Sequence, residues 1–179
     1  MRIDKHVEKI LVTHNKIIKN INKCADWINS KFKNQSVVLI GVLKGCTPFV
    51  GHLLPKLKID LVLDFISVSS YANGVKQDEN IKIKNLMVDV KDKNVIIADD
   101  VIDSGRTLKA LKDMFISYGA KSVTLVTLVD KKEGRKIDFD VDYSCLSLPN
   151  EWIVGWGFDI KESFRNLPYI GILKKEYQQ

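Results

Sequence analysis

Cysteine and histidine are scarce in this sequence, and neither residue is arranged as a set of metal ligands. The three cysteines, Cys24, Cys46 and Cys145, are odd in number and far apart, which argues against a disulfide framework and against a zinc site. The three histidines are isolated from one another along the chain. We therefore expect reduced thiols, as in a cytoplasmic protein.

Long hydrophobic runs are also missing. Residues 1–9 are charged and lack the apolar stretch of about 7–15 residues that a secretory signal needs. The longest apolar runs fall well short of the roughly 20 residues that cross a bilayer as a helix. We expect no membrane partner.

The bulk composition is that of a globular domain. The 179 residues are 45% hydrophobic and 28% charged, enough for one core and one domain spanning residues 1–179. The formal net charge of +6 favours anionic partners, but solvated lysine is an equally good explanation, since the lysines are spread along the whole chain.

Hydrophobic periodicity predicts an α/β protein with a central, mostly parallel sheet flanked by helices. Strands that are apolar on both faces alternate with amphipathic helices, which is the pattern of a parallel sheet covered on both sides. The predicted strands are Val7–Val12, Ser36–Leu43, Asp60–Ser70, Lys93–Asp99 and Ser122–Val129, and the predicted helices follow Thr13, run from Thr47 to about Leu57 and span Leu108–Tyr118. Residues 71–80 and 131–142 are predicted to be loops, and the last forty residues an irregular hood.

The segment from Val95 to Thr107 carries the clearest chemistry. It is an apolar strand followed by Asp99-Asp100, then a small loop containing Ser104 and Gly105, and then a helix. Amide groups at a helix N-terminus bind phosphate, and adjacent carboxylates accept hydrogen bonds from ribose hydroxyls. The pattern therefore predicts a sugar-phosphate site at the carboxyl end of a parallel strand.

Two other interpretations fit this segment. The acidic pair could be an ordinary polar strand end, with Asp103 as a helix cap. A phospho-acceptor receiver domain also has paired aspartates after a strand, but it needs them after its first strand, whereas two strand–helix units precede them here.

The same segment resembles the phosphoribosyl-diphosphate signature of the type I phosphoribosyltransferases. Further resemblances point to the hypoxanthine-guanine branch: Leu43-Lys44-Gly45 is similar to its pyrophosphate loop, Ser69-Ser70-Tyr71 to its mobile loop, Val129-Asp130-Lys131 to its base-recognition strand end, residues 149–159 to its purine hood, and residues 164–170 to its tail. Arg135 matches a basic position of the family. The resemblance covers about residues 7–173 and implies the type I phosphoribosyltransferase fold, with a hood formed by the N-terminal segment and about residues 131–179.

The resemblance implies an enzyme that transfers a phosphoribosyl group from phosphoribosyl diphosphate to hypoxanthine or guanine, with Mg²⁺ as cofactor. Asp103 is the implied general base. The implied substrate-binding residues are Lys44, Gly45, Ser70, Tyr71, Asp99, Asp100, Asp103, Ser104, Gly105, Arg106, Thr107, Lys131, Trp152, Ile153, Asp159 and Arg165, and the implied metal ligands are Asp99, Asp100 and Asp159. A cis peptide is expected between Leu43 and Lys44, and a homodimer or homotetramer is expected.

The sequence departs from the family at three places. Asp99 replaces a common glutamate, Cys46 follows the pyrophosphate-loop glycine where a small residue is usual, and the mobile loop lacks the usual glycine after Tyr71. Xanthine- or pyrimidine-specific transfer remains an alternative, as does a regulatory RNA-binding protein. No surface of stacking aromatics on a basic background is evident in the sequence to support the RNA-binding alternative.

Overall fold

A computed structural model of the chain describes residues 3–70 and 81–178. Its larger sheet has six strands in the order β4-β3-β2-β5-β6-β7. These strands are β2 (Ser36–Leu43), β3 (Asp60–Ser70), β4 (Ile81–Lys84), β5 (Asn94–Ile102), β6 (Ser122–Asp130) and β7 (Tyr143–Ser147). Every neighbouring pair is parallel except β3 and β4, so the predicted fold class is confirmed.

Helices cover both faces of this sheet. The helices α1 (His14–Lys31) and α2 (Thr47–Leu53) pack on one face, and α3 (Arg106–Ser117) packs on the other. Each helix buries an apolar stripe at a spacing of three or four residues, as Ile17, Ile21, Cys24 and Ile28 do on α1. The central strands β2, β5 and β6 are buried along almost their whole length, which explains why they are apolar on both faces.

A second, antiparallel sheet combines both ends of the chain. It has the order β1-β9-β8, with β1 (Val7–Thr13), β8 (Ile153–Val154) and β9 (Tyr169–Leu173). The sequence indicated β1 but not β7, β8 or β9, because these strands are short and polar or glycine-containing residues interrupt them. The prediction that the last forty residues are irregular was therefore wrong in part.

Several element boundaries also differ from the predictions. The helix α2 begins at Thr47 with Cys46 as its N-cap, and it ends at Leu53 before a short 3-10 turn, Leu54–Lys56. The strand β5 continues through the acidic pair to Ile102 instead of ending at Asp99. Polar residues at a strand end hide the continuation, since hydrophobic patterning follows burial and not backbone pairing.

Among residues 3–70 and 81–178, no helix combines the length and the apolar character required to cross a membrane.

Candidate active site

A tight loop between β5 and α3 forms the centre of the candidate site. The strand ends at Ile102, residues 103–105 turn the chain, and α3 begins at Arg106. Gly105 has φ of +85°, a left-handed conformation that a residue with a Cβ adopts only under strain. The predicted phosphate-binding residues Ser104, Gly105, Arg106 and Thr107 thus surround the N-terminus of a twelve-residue helix, where backbone amides face outward.

Arg135 fastens this loop to the end of β6. Its guanidinium donates hydrogen bonds to the Asp103 carbonyl at 2.5 Å and to the Asp130 carboxylate at 2.7 Å. Arg135 and Asp130 side chains are only 13% and 4% exposed, so this ion pair is largely shielded from water. The Lys136 amide also donates to the Ser104 carbonyl. The interpretation of residues 131–142 as a surface loop was therefore wrong at Arg135, because the sequence shows a polar run but not the buried partner of its arginine.

The Asp103 carboxylate lies against the backbone of Gly134. A Cβ on Gly134 would stand 1.7 Å from Asp103 Oδ1 and 3.4 Å from Asn150 Oδ1. Only a residue without a side chain fits there. The predicted general base is thus the first residue of the phosphate loop, residues 103–107, and its carboxylate faces the segment that follows β6.

Lys131 lies near this carboxylate, and it also contacts the segment that carries Trp152. The Lys131 ammonium donates to the Glu151 carbonyl at 2.7 Å, which ties the strand end to the residue before Trp152. Burial lowers the pKa of Lys131, and the nearby carboxylates of Asp103, Asp100 and Glu151 oppose that shift. Trp152 is 56% exposed, which excludes the core-packing role and leaves its ring accessible for stacking. Ile153 is buried in β8 beside it.

Asp99 and Asp100 form a shielded acidic pair on β5. The Asp99 carboxylate accepts a hydrogen bond from the Asp100 amide at 2.9 Å. Burial, and then the charge of Asp100, raise the pKa of Asp99 well above its ordinary value. Burial also raises the pKa of Asp100, against a hydrogen bond from Asp99 that lowers it. Each carboxylate is therefore harder to ionise than an exposed aspartate, because burial disfavours its charged form.

The Lys44-Gly45 loop lies directly beside this pair. The peptide bond between Leu43 and Lys44 is cis, as the family resemblance implied. A Cβ on Gly45 would stand 1.7 Å from Asp100 Oδ2, and a Cβ on Gly157 would stand 2.1 Å from the Gly45 carbonyl oxygen. The loop after β2 thus lies between the acidic pair and the hood. Gly45 and Gly157 permit this close packing because neither carries a side chain.

Arg165 joins the hood to this region. Its Nη1 donates to the Gly157 carbonyl at 2.7 Å and forms an ion pair with Asp159 Oδ1 at 2.9 Å. Its Nη2 forms an ion pair with Glu162 Oε2 at 3.2 Å, and the same carboxylate oxygen accepts from Lys44 Nζ at 3.1 Å. The positive charge of Arg165 also lowers the pKa of Asp100. The residues predicted to bind pyrophosphate, Lys44 and Arg165, therefore lie in the same region as the acidic pair. Glu162 was not singled out in the sequence, because an acid between two cations is visible only once the chain is folded.

The structure tests whether a metal fits these acids. Within the described ranges no three side chains of His, Cys, Asp or Glu are close enough together to hold a metal by themselves, so Asp159 is not clustered with Asp99 and Asp100. Mg²⁺ does not require three, since it is commonly bound by one or two carboxylates plus phosphate oxygens and water. The shielded pair Asp99-Asp100 supplies hard oxygen donors of that kind, and the residues present therefore fit the ion.

Ser70, Tyr71 and Cys46 were also singled out in the sequence. Tyr71 lies outside the residues that the structure describes, and of Ser70 only the backbone, at the end of β3, is described. Cys46 is fully buried at the start of α2, and burial with the charge of Asp99 raises the pKa of its thiol. A buried protonated thiol is a poor nucleophile, so the structure argues against ready oxidation of Cys46.

Comparison with known proteins agrees with this geometry. Residues 7–162 match the phosphoribosyl transferase domain family. The chain is 40% identical over 175 residues to the hypoxanthine-guanine phosphoribosyltransferase of Streptococcus pneumoniae, and the match covers 97% of each chain. The fold is similar to the crystal structure of a hypoxanthine phosphoribosyltransferase from Staphylococcus aureus, with a TM-score of 0.92, 32% identity and coverage of 97% of this chain and 95% of that one. It is also similar to a hypoxanthine-guanine phosphoribosyltransferase from Bacillus anthracis, with a TM-score of 0.86, 37% identity and coverage of 94% and 98%.

Proposed function

The chain belongs to the phosphoribosyl transferase family, and on this premise we propose that it transfers the phosphoribosyl group of phosphoribosyl diphosphate to hypoxanthine and guanine. The products are the corresponding nucleoside monophosphates and pyrophosphate, as in purine salvage. The observation that carries the choice of base is that Lys131 lies near Asp103 and donates a hydrogen bond to the carbonyl of Glu151, the residue before the exposed Trp152.

The phosphate loop anchors the substrate away from the reacting carbon. The amides at the start of α3, with the hydroxyls of Ser104 and Thr107, hold the 5′-phosphate. Because this binding energy comes from a part of the substrate that does not react, it serves to orient the ribose. Arg135 stabilises this loop by donating a hydrogen bond to the Asp103 carbonyl.

The ribose and the leaving group lie toward the Lys44-Gly45 loop. The carboxylates of Asp99 and Asp100 accept hydrogen bonds from the ribose hydroxyls, while Lys44 and Arg165 face the pyrophosphate. Asp99 and Asp100 would hold Mg²⁺, and the ion would supply positive charge to neutralise the pyrophosphate oxygens. Electrostatic stabilisation of this kind acts where charge develops as the bond breaks.

Transfer of the phosphoribosyl group breaks one bond at the anomeric carbon and forms another. The bond from that carbon to pyrophosphate oxygen breaks with its electron pair leaving on the oxygen, and a purine ring nitrogen forms the new bond. The Asp103 carboxylate takes the proton that the imidazole ring of the purine loses as this bond forms. A general base of this type contributes about 10²–10⁴-fold to the rate.

Recognition of the base uses donors that match a 6-oxo group. The Lys131 ammonium donates to the 6-oxygen, and Trp152 stacks on the ring. A 6-amino group would leave the ammonium unpaired, so adenine is rejected.

The three cysteines are free thiols in the structure, which supports a reducing, cytoplasmic compartment. We retain the homodimer or homotetramer as part of the proposal.

The test is turnover of hypoxanthine, guanine, xanthine, adenine and uracil with phosphoribosyl diphosphate and Mg²⁺. We expect turnover of hypoxanthine and guanine, reduced about 10²–10⁴-fold in Asp103→Asn. Asp113→Asn is the matched control, since Asp113 is an exposed carboxylate on α3 that forms an ion pair with Lys109. Turnover of adenine or uracil would overturn the role of Lys131, and no turnover of any base would overturn the proposed function.

A further inference from the structure

Glu162 occupies an unexpected place between the two cations that face the leaving group. A single carboxylate oxygen, Glu162 Oε2, lies 3.1 Å from Lys44 Nζ and 3.2 Å from Arg165 Nη2. These contacts, first that of Lys44, hold the pKa of Glu162 below its usual value, so the side chain is anionic at neutral pH. An anion thus bridges Lys44 and Arg165 in the protein without substrate.

The turn that presents Glu162 conflicts with its own sequence. Ile160 and Ser163 pair as an antiparallel bridge, and the two residues between them, Lys161 and Glu162, have φ of +48° and +64°. Two-residue turns with both central residues in the left-handed region favour Asn-Gly, because other side chains are strained there. The Glu162 amide is held by a hydrogen bond to Asp159 Oδ2 at 2.8 Å. Disagreement between local preference and structure is characteristic of functional positions.

Arg165 does not depend on Glu162 for its position. It is anchored by the Gly157 carbonyl and by Asp159, and its side chain is 26% exposed, whereas Glu162 is 63% exposed and Lys44 is 66% exposed. Exposed ion pairs are weak and exchange readily. The Glu162 carboxylate is therefore a displaceable occupant of the region and not the support that holds Arg165.

We propose that Glu162 is an internal competitor of pyrophosphate, which neutralises Lys44 and Arg165 in the free enzyme and so weakens the hold on the departing product. The inference rests on the proposed function, in which these two cations receive the leaving group. Incoming metal-bound diphosphate, with several negative charges, displaces the single charge of Glu162. When the reaction is complete, Glu162 returns and helps to expel pyrophosphate.

The test is direct binding of pyrophosphate with Mg²⁺, measured by calorimetry in wild type, Glu162→Gln and Lys161→Gln. The glutamine retains shape and removes the charge, so we expect Glu162→Gln to bind pyrophosphate about three- to tenfold more tightly, with the gain shrinking at high salt. The Michaelis constant for hypoxanthine should stay unchanged, since Glu162 is not at the base. Lys161→Gln alters the same turn without touching the Lys44–Glu162–Arg165 bridge, and it should change pyrophosphate affinity by less than about twofold.

Two results would overturn the inference. Unchanged or weaker pyrophosphate binding in Glu162→Gln, with an unchanged unfolding temperature, would mean that Glu162 positions the cations instead of competing. Equal tightening in Lys161→Gln would mean that relaxation of the turn, and not charge, is responsible. Because binding needs no turnover, these outcomes are independent of the base panel, whose failure would overturn the proposed function alone.

Discussion

Asp99 is a carboxylate that the protein shields at a cost to its own stability. Its pKa in the folded state is raised by burial and by the charge of Asp100, from an ordinary value of 3.8. The folded protein therefore binds a proton that the unfolded chain has released at the same pH. By linkage, the free energy of unfolding falls as the pH rises from about 3.8 through the raised pKa of Asp99.

Replacing Asp99 with asparagine should therefore stabilise the protein while damaging its chemistry. At neutral pH we expect the unfolding temperature of Asp99→Asn to rise by about 2–4 °C, corresponding to about 1 kcal/mol. The gain should vanish toward the acid end, where the wild-type side chain is protonated in both states. Thermal unfolding followed by circular dichroism across pH measures this, with Asp113→Asn as the control. If Asp99→Asn is less stable than wild type at neutral pH, the predicted direction of the stability change is wrong.

Most individual site residues could be predicted because the family motifs are contiguous. Asp99, Asp100 and Asp103 follow one another at the end of an apolar strand, and the structure places them beside a helix N-terminus. Arg135 matched a basic position of the family, but the sequence did not indicate its contact with Asp103, and Glu162 gave no signal at all. Their significance depends on partners 32 and 118 residues away, and only the fold brings those partners into contact.

The segment between β6 and β7 acts as a backing for the phosphate loop. Gly134 ends a short 3-10 turn, and the Asp103 carboxylate fills the space that a Cβ would take. The elements that sequence patterning predicted well, β2, β5, β6 and the three helices, form the scaffold, because burial on two faces or on one stripe leaves a strong hydrophobic signal. The segment between β6 and β7 leaves no hydrophobic signal in the sequence, because hydrogen bonds from its backbone and side chains stabilise it.

Gly134→Ala should displace Asp103, the proposed general base, without unfolding the protein. The new methyl would stand 1.7 Å from Asp103 Oδ1, so the carboxylate must move. Misplacement of about 1 Å costs up to about 10²-fold, and we expect kcat with hypoxanthine to fall about 10- to 100-fold. Gly51→Ala is the matched control, because among the described residues no atom lies within 4 Å of its Cβ and it belongs to α2. It should keep full activity and gain about 0.5–1 kcal/mol in stability. Equal activity in the two variants would mean that Asp103 does not act from its observed position.

The charge of the whole molecule opposes the local charge of its site. Asp99, Asp100, Asp103 and Asp159 place several carboxylates where a polyanionic substrate must bind, yet the protein carries a formal net charge of +6. A surplus of lysine and arginine spread over the surface raises the positive potential through which an anion approaches. We therefore expect the surplus of lysine and arginine to assist the capture of phosphoribosyl diphosphate.

Salt should therefore affect the two substrates differently. Between about 0.01 M and about 0.3 M ionic strength the Debye length shortens from roughly 30 Å to below 10 Å, which screens the protein's long-range potential. At constant free Mg²⁺ we expect kcat/KM for phosphoribosyl diphosphate to fall several-fold, while kcat/KM for hypoxanthine, which is uncharged, changes by less than about twofold. Steady-state kinetics with one substrate varied and the other saturating measures both quantities. An equal decline for both substrates would show that salt acts on the fold or on the chemical step, and that the net charge has no part in substrate capture.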